Sequence, residues 1–495
     1  MIKLHRVLDV SISDVALPPS LPYGRGRKIK GSFLLFIIAI LFPALSFASD
    51  FPGETLSLWW TAPFGLILLS LATGPLLFAN FWHHHYGKII FGLTTAFLIP
   101  GIHAFGFPLT MHQVLDHLLL NYIPFVVLIA ALFVVTGSIR LKAHWLGTPQ
   151  HNTLILALGA LSASLIGTTG ASMLLIRPLI RANGWRDQKK HIFIFFIFLV
   201  SNVGGCLTPL GDPPLFLGFL EGVPFSWTFV HLYQPFLVTT FLLLGLFYTI
   251  DHYFYKKEGQ SSPFTHDGRE HGIIACEGRR NFLLLAGIVG AVFLSGSWKP
   301  GIVFDIFGIP LKLEDLTRDG LLILIIFLCL YWTKPIVRLE NHFSWAPLIE
   351  VAKIFLGIFI TIIPALSILK SGTSGPLASF VSLAMQDGIP YDPAYFWLSG
   401  FFSSFLDNAP TYFVFFNMAG GDVTTLTTTL STTLLAISMG SVFMGAVTYI
   451  GNAPNFMVKS VVEGHGIQMP TFFGYMAWSC ACLLPIFGLL TWMFF

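Results

Sequence analysis

The chain has 495 residues, 55% of them hydrophobic and only 10% charged, with a mean hydropathy of +0.76 and a formal net charge of +3. So little polar surface excludes a soluble globule of this size, and so small a charge predicts no nucleic-acid partner. Apolar runs near 20 residues match a bilayer, and the period-two alternation of a membrane barrel is absent, so the expected fold is an all-α polytopic membrane protein embedded in a lipid bilayer. Cys206, Cys276, Cys329, Cys480 and Cys482 show neither a pairing pattern nor a metal spacing and read as small core residues. The chain carries no Walker loop, which argues against an ATP-driven pump.

In chain order, residues 1–48 combine basic Arg25, Arg27, Lys28 and Lys30 with an apolar run from Phe33 to Leu41 and a small-residue stretch ending at Ala48. That order predicts a signal peptide cleaved near Ala48; the alternative is a short first membrane helix. Residues 49–250 form a first membrane half, with spans near 62–80, 88–106 and 122–140, a re-entrant hairpin near 153–180, a broken span near 191–219 and a span near 228–250. Residues 251–280 read as a cytoplasmic linker. Residues 281–495 form the second half, with spans near 282–297, 319–335 and 347–369, a hairpin near 394–419, a broken span near 428–457 and a last helix near 471–495. His83, His84 and His85 fall in a short polar loop beside Lys88, and His266, His271 and Cys276 of the linker match no zinc spacing.

Lysine and arginine set the orientation. One set of loops carries Lys88, Arg140, Lys142, Arg181, Arg186, Lys189, Lys190, Lys256 and Lys257 among others, and the opposite set only Lys299, Lys312, Arg318 and Lys370. The positive-inside rule puts the first set in the cytoplasm. The two hairpins then enter from opposite faces, and the halves are inverted copies.

Those halves share a written motif. Thr208-Pro209-Leu210-Gly211-Asp212-Pro213-Pro214-Leu215-Phe216 returns 240 residues later as Thr448-Tyr449-Ile450-Gly451-Asn452-Ala453-Pro454-Asn455-Phe456. Upstream of each copy lies a second breaking cluster, Gly167-Thr168-Thr169-Gly170-Ala171-Ser172 in one half and Leu406-Asp407-Asn408-Ala409-Pro410-Thr411 in the other. Proline removes an amide and glycine weakens a helix, so these stretches unwind. Unwound backbone at membrane depth must be satisfied by protein, ion or water, which places it along a cavity. Discontinuous helices at matching positions of two halves are how secondary transporters build their sites.

Asp212 lies in the first break and Asp407 at the bend of the second hairpin, both flanked by apolar sequence. An Asp at the centre of a membrane helix costs about 2.5–3.5 kcal/mol on insertion scales, so its default reading is functional. Burial favours the protonated carboxyl and a nearby cation favours the ionised one, so one group can hold either a proton or a metal ion. The expectation is that Asp212 and Asp407 exchange Na+ for H+, with Ser201, Asn202, Thr208, Asn408, Thr448 and Asn452 as oxygen donors. The alternative is that each Asp caps a half-helix. Arg177 is placed either to neutralise Asp212 or an anion, or to reach the inner interface; Glu350 and Lys353 are spaced for a local ion pair; Thr361 and Pro364 mark a kink. No nucleophile with a placed base is present, so no enzymatic chemistry is expected.

Ser201-Asn202-Val203-Gly204-Gly205, the Thr208–Pro214 stretch, Asp407-Asn408-Ala409-Pro410-Thr411 and Gly451-Asn452-Ala453-Pro454-Asn455 resemble the signatures of the ion transporter superfamily over roughly residues 60–495. Within it the chain looks like the NhaD-type sodium/proton antiporters and the citrate-transporter branch. The resemblance implies an inverted-repeat scaffold with a mobile transport domain, often a homodimer, in the cell inner membrane. It implies a site from Ser201, Asn202, Thr208, Gly211 and Asp212 of the first half and Asp407, Asn408, Thr448, Gly451 and Asn452 of the second. The partners would be small inorganic cations, with no cofactor beyond transported Na+ and H+. A sodium-coupled citrate or dicarboxylate carrier is the alternative; the tips here read Thr168-Thr169-Gly170 and Asp407-Asn408-Ala409, and Asp407 would repel an anion.

Overall fold

A computed structural model describes residues 51–143, 146–258, 274–341 and 343–495. The expected signal segment, residues 1–48, and His266 and His271 of the linker lie outside these residues.

Apolar runs set the helices, and proline or glycine sets their ends. α1 (Ala62–Leu77) takes Pro63 into its first turn and stops at Phe78. α2 (Ala79–Phe105) ends at Gly106, whose φ of 84° turns the chain into α3 (Phe107–His117). One wide helical turn, Leu118–Tyr122, carries α3 into α4 (Ile123–Gly137). There follow α5 (Pro149–Ile166), α6 (Thr168–Ala182), α7 (Lys190–Leu199), α8 (Pro213–Glu221) and α9 (Phe225–Lys257). The second half runs α10 (Asn281–Ser297), α11 (Leu313–Trp332), α12 (Ala346–Thr361), α13 (Ile363–Lys370), α14 (Asp392–Phe405), α15 (Asn408–Met418), α16 (Ser431–Phe443), α17 (Ala453–Gly464) and α18 (Phe472–Phe494).

Among the described residues, five helical segments are long and apolar enough to cross a membrane, and α12 with α13 makes a sixth if their 44° bend is counted as one broken span. The chain is an all-α polytopic membrane protein. Thr361, whose hydroxyl bonds the Gly357 carbonyl at 2.7 Å, and Pro364 flank that bend, where the kink was expected. The centre belongs to α7 and α16: every residue from His191 to Leu199 is buried, as is every residue from Thr433 to Phe443. A helix apolar all round needs protein on every side.

The structure differs from the sequence reading in three places. His83, His84 and His85 lie within α2 rather than in a loop, because no proline interrupts the helix before Pro100 and the isolated Gly87 and Gly92 only weaken it. Short ribbons appear where none was expected: β1 (Arg140–Ala143) pairs antiparallel with β2 (Ile274–Glu277), and β3 (Val303–Ile306) with β4 (Ile309–Lys312). The first ribbon fastens the end of the linker, Cys276 included, beside the end of α4.

The third difference concerns Asp251. It belongs to α9 and is buried, not part of a solvated linker. Its carboxylate accepts from Arg186 Nη1 at 2.6 Å, His191 Nε2 at 2.7 Å and Asn152 Nδ2 at 3.0 Å. Arg186 also reaches Glu258 at 3.0 Å. This buried polar knot joins α5, α7 and α9 at one end of the first hairpin.

Candidate functional site

Each half contains the same two interruptions. α5 ends at Ile166 and α6 starts at Thr168, with Gly167 between them at φ 79°. α14 ends at Phe405 and α15 starts at Asn408. After α7 the chain leaves the helix, makes one tight turn at Val203–Cys206 and re-enters at α8; after α16 it makes a like turn at Met444–Val447 and re-enters at α17.

Hydroxyls satisfy the carbonyls that these breaks release. Ser164 donates to the Gly204 carbonyl at 2.5 Å, and Thr208 donates to the Ser164 carbonyl while accepting from Leu210 N at 3.2 Å. At positions 240 further on, Ser404 donates to the Met444 carbonyl at 3.0 Å, and Thr448 donates to the Ser404 carbonyl at 2.5 Å while accepting from Ile450 N and Gly451 N, each at 3.1 Å. Gly211 and Gly451 sit where a side chain has no room. A Cβ on the first would overlap the Gly205 carbonyl, and one on the second would meet the carbonyl oxygens of Gly445 and Ser403 at 2.6 Å.

Asp212 is the focus. It is 1% exposed, and its carboxylate accepts from Thr168 Oγ1 at 2.8 Å, Asn452 Nδ2 at 3.2 Å and Asn408 Nδ2. Thr168 and Asn408 are the first residues of α6 and α15; Asp212 and Asn452 directly precede α8 and α17. Four half-helix starts therefore meet at one carboxylate, and their positive ends favour negative charge there. Asn452 Nδ2 also donates to the Ser201 carbonyl at 3.0 Å and to Asn202 Oδ1 at 3.2 Å. Asn202 donates in turn to Asn455 Oδ1 at 2.7 Å, and Ser201 shares a hydrogen bond with Ser172 at 2.9 Å.

Asn408 Oδ1 is buried with no hydrogen-bond partner among the described residues, although the same side chain donates to Asp212. No ion pair among those residues includes Asp212. Asp407, half-buried, lies close enough for its charge to act on Asp212.

Of the residues singled out in the sequence, Ser201, Asn202, Asp212, Asn408 and Asn452 fall into one contiguous network. Thr208, Gly211, Thr448 and Gly451 hold the breaks in shape around it, with both threonine hydroxyls already engaged on backbone groups. The two aspartates differ as caps: Asp407 accepts from Ala409 N at 3.1 Å, whereas Asp212 makes no capping bond to its own helix and turns its carboxylate toward the other three. Among the described residues Arg177 makes no bond to Asp212 and its Nε has no hydrogen-bond partner; the residue lines a small pocket with Met173, Asn341 and Phe343. Lys353 is not paired with Glu350 but stands 5.6 Å from the ring centre of Tyr86.

Thr168, Ser172 and Asn455 were missing from the sequence-derived site. The repeat register carried the signal for Thr168, since it lies 240 residues before Asn408. Asn455 closes the second motif and donates to the Gly445 and Thr448 carbonyls at 2.8 and 2.9 Å.

The model of a family described as "Putative citrate transport" matches residues 53–495, and the chain belongs to that family. A search of curated proteins gives no match.

Proposed function

Proceeding from that membership, we propose that the protein is a secondary transporter of the inner membrane that exchanges Na+ (or Li+) for H+, with Asp212 as the exchanging group and Asp407 as a second acid beside it. The observation that supports this most is the setting of Asp212: a fully enclosed carboxylate, held by three neutral donors and with no lysine or arginine paired to it among the described residues. Its counter-charge is then mobile, either a proton or a small cation. The unpartnered Asn408 Oδ1 alongside adds the kind of hard oxygen that a dehydrated alkali cation takes.

Coupling follows from the cost of an uncompensated carboxylate. A site loaded with H+ or with Na+ is neutral at Asp212 and crosses between the two faces; a bare one carries buried charge and does not. Each passage outward with one ion is matched by a return with the other. Two halves related as inverted repeats would supply the rocking that exposes the site alternately.

A second reading, a sodium-coupled citrate or dicarboxylate carrier, draws on the family's description and on the four half-helix starts, whose positive ends suit a substrate carboxylate. The two acids at the same place disfavour it. Proteoliposomes with a trapped pH dye separate the readings. Dissipation of an imposed pH gradient by Na+ or Li+ without citrate supports exchange. Silence with cations alone, together with sodium-dependent citrate uptake, overturns it in favour of the carrier.

A further inference from the structure

A second site lies away from Asp212, in a cleft of about 600 Å³ between α2 and α12. Gly357 packs against Ile90 and Thr94, and Lys353, one turn earlier, faces Gly87. The two helices therefore run in the same direction here, with both starts at the same side.

The length of α2 locates that side in the bilayer. Its 27 residues span about 40 Å, against about 30 Å of hydrocarbon. The excess belongs to the polar start, His83 to Lys88, because Ile89–Phe105 is the apolar part. The mouth of the cleft thus stands at the membrane–water boundary. Exposed Phe81 near the start of α2, and Trp345 and Ile349 at the start of α12, are aromatic and apolar side chains of the kind found at such a boundary.

The lining is divided. His83, His84, Lys88 and Lys353 supply the upper part; Phe91, Leu356 and Gly357 supply the lower. Lys88 and Lys353 form no ion pair among the described residues, and Lys353 is held near the Tyr86 ring. Glu350, one turn before Lys353 on α12, lies close enough to His83 for the two charges to interact. A basic rim above an apolar floor matches a phosphate ester that carries acyl chains.

We propose that this cleft binds the phosphate headgroup of an anionic phospholipid, with Lys88 and Lys353 on the phosphate and one acyl chain along Phe91 and Leu356. The phosphate itself is chemistry that free inorganic phosphate shares. The apolar floor and the position at the boundary assign the cleft to lipid.

The test is native mass spectrometry of the delipidated full chain with dioleoylphosphatidylglycerol, dioleoylphosphatidylcholine or inorganic phosphate added. Phosphatidylglycerol is expected to be retained over phosphatidylcholine, and the double variant Lys88→Gln/Lys353→Gln to lose roughly 30-fold in that preference, two surface lysines acting together. Lys312→Gln, an exposed lysine in β4 outside the cleft, should leave the preference unchanged. Equal retention of the two lipids, or a preference that survives the double variant, would overturn the site. Displacement of phosphatidylglycerol by inorganic phosphate at comparable concentration would overturn its assignment to lipid.

Discussion

Asp251→Ala tests the physics of the buried knot directly. The side chains of Asp251 and Arg186 are each 0% exposed and 2.6 Å apart, so water cannot take over from a missing partner. Removing one member of a buried pair typically costs about 3–5 kcal/mol, chiefly because the other charge stays behind. Arg186 would keep Glu258 at 3.0 Å, which places the expected loss near the lower end, about 3 kcal/mol. Arg186→Met should cost a similar amount, since Asp251 would keep His191 and Asn152. In the double variant neither Asp251 nor Arg186 is left behind and only Glu258 loses a partner, so its cost should fall short of the sum of the singles by about 1–3 kcal/mol. Reversible unfolding in mixed micelles, titrated with a denaturing detergent, reads all three differences. High salt should leave them in place, because a buried pair is weakly screened. A loss below about 1 kcal/mol for Asp251→Ala, the value of an exposed pair, would refute the reasoning and mean that this end of α9 is solvated.

Gly211→Ala should destabilise by about 1–3 kcal/mol through overlap with the Gly205 carbonyl, whereas Gly245→Ala in α9, where a Cβ meets nothing within 4 Å, should stabilise by up to about 1 kcal/mol; thermal unfolding in detergent ranks the two. Asp407→Asn retains an oxygen for the Ala409 amide and should fold normally, yet stop Na+-driven proton flux in proteoliposomes. Flux that persists in that variant excludes Asp407 from the exchange. Asn408→Ala removes both a donor to Asp212 and the unpartnered oxygen, and should raise the Na+ concentration for half-maximal flux at least tenfold, a hydrogen bond to a charged group being worth about 1.5–3 kcal/mol. An unchanged half-maximal concentration would place the cation elsewhere.

What the sequence made legible was punctuation. Pro213, Pro214, Pro454 and the glycines around them cannot continue a helix, so the breaks at 200–212 and 444–452 stand where the motifs put them. Asp212 was legible too, because a carboxylate in apolar surroundings needs a reason. Partners were harder. Thr168 and Ser172 are ordinary polar residues until the hairpin brings them to Asp212 and Ser201, and nothing local reports a contact across 44 or 29 residues. Asp251 and Arg186 misled for the opposite reason: a charged residue opening a polar linker or lying in a basic inner loop looks solvated, and only the packing of α5, α7 and α9 buries them. His83–His85 looked like a loop because polarity is a weaker signal than the absence of a proline, and four-residue ribbons such as β1 and β2 are too short to show a period.

The repeat divides the site's work by position. Where the two halves agree, at Ser164 and Ser404, Thr208 and Thr448, Gly211 and Gly451, the residues bond or clear space for backbone and so build the same break twice. Where they differ, at Thr168 and Asn408 and at Asp212 and Asn452, the side chains meet at the Asp212 carboxylate, and at Gly167 and Asp407 only the second half carries a side chain. Two identical halves would have put two carboxylates from positions 212 and 452 in direct contact, a pair whose mutual repulsion would keep one of them protonated. Having Asn at 452 turns that repulsion into a hydrogen bond to Asp212, and the second acid comes instead from the opposite hairpin tip, where Asp407 also caps α15. The shared positions thus fix the geometry of the broken helices, and in the proposed exchange the chemistry would reside in the positions at which the halves have diverged.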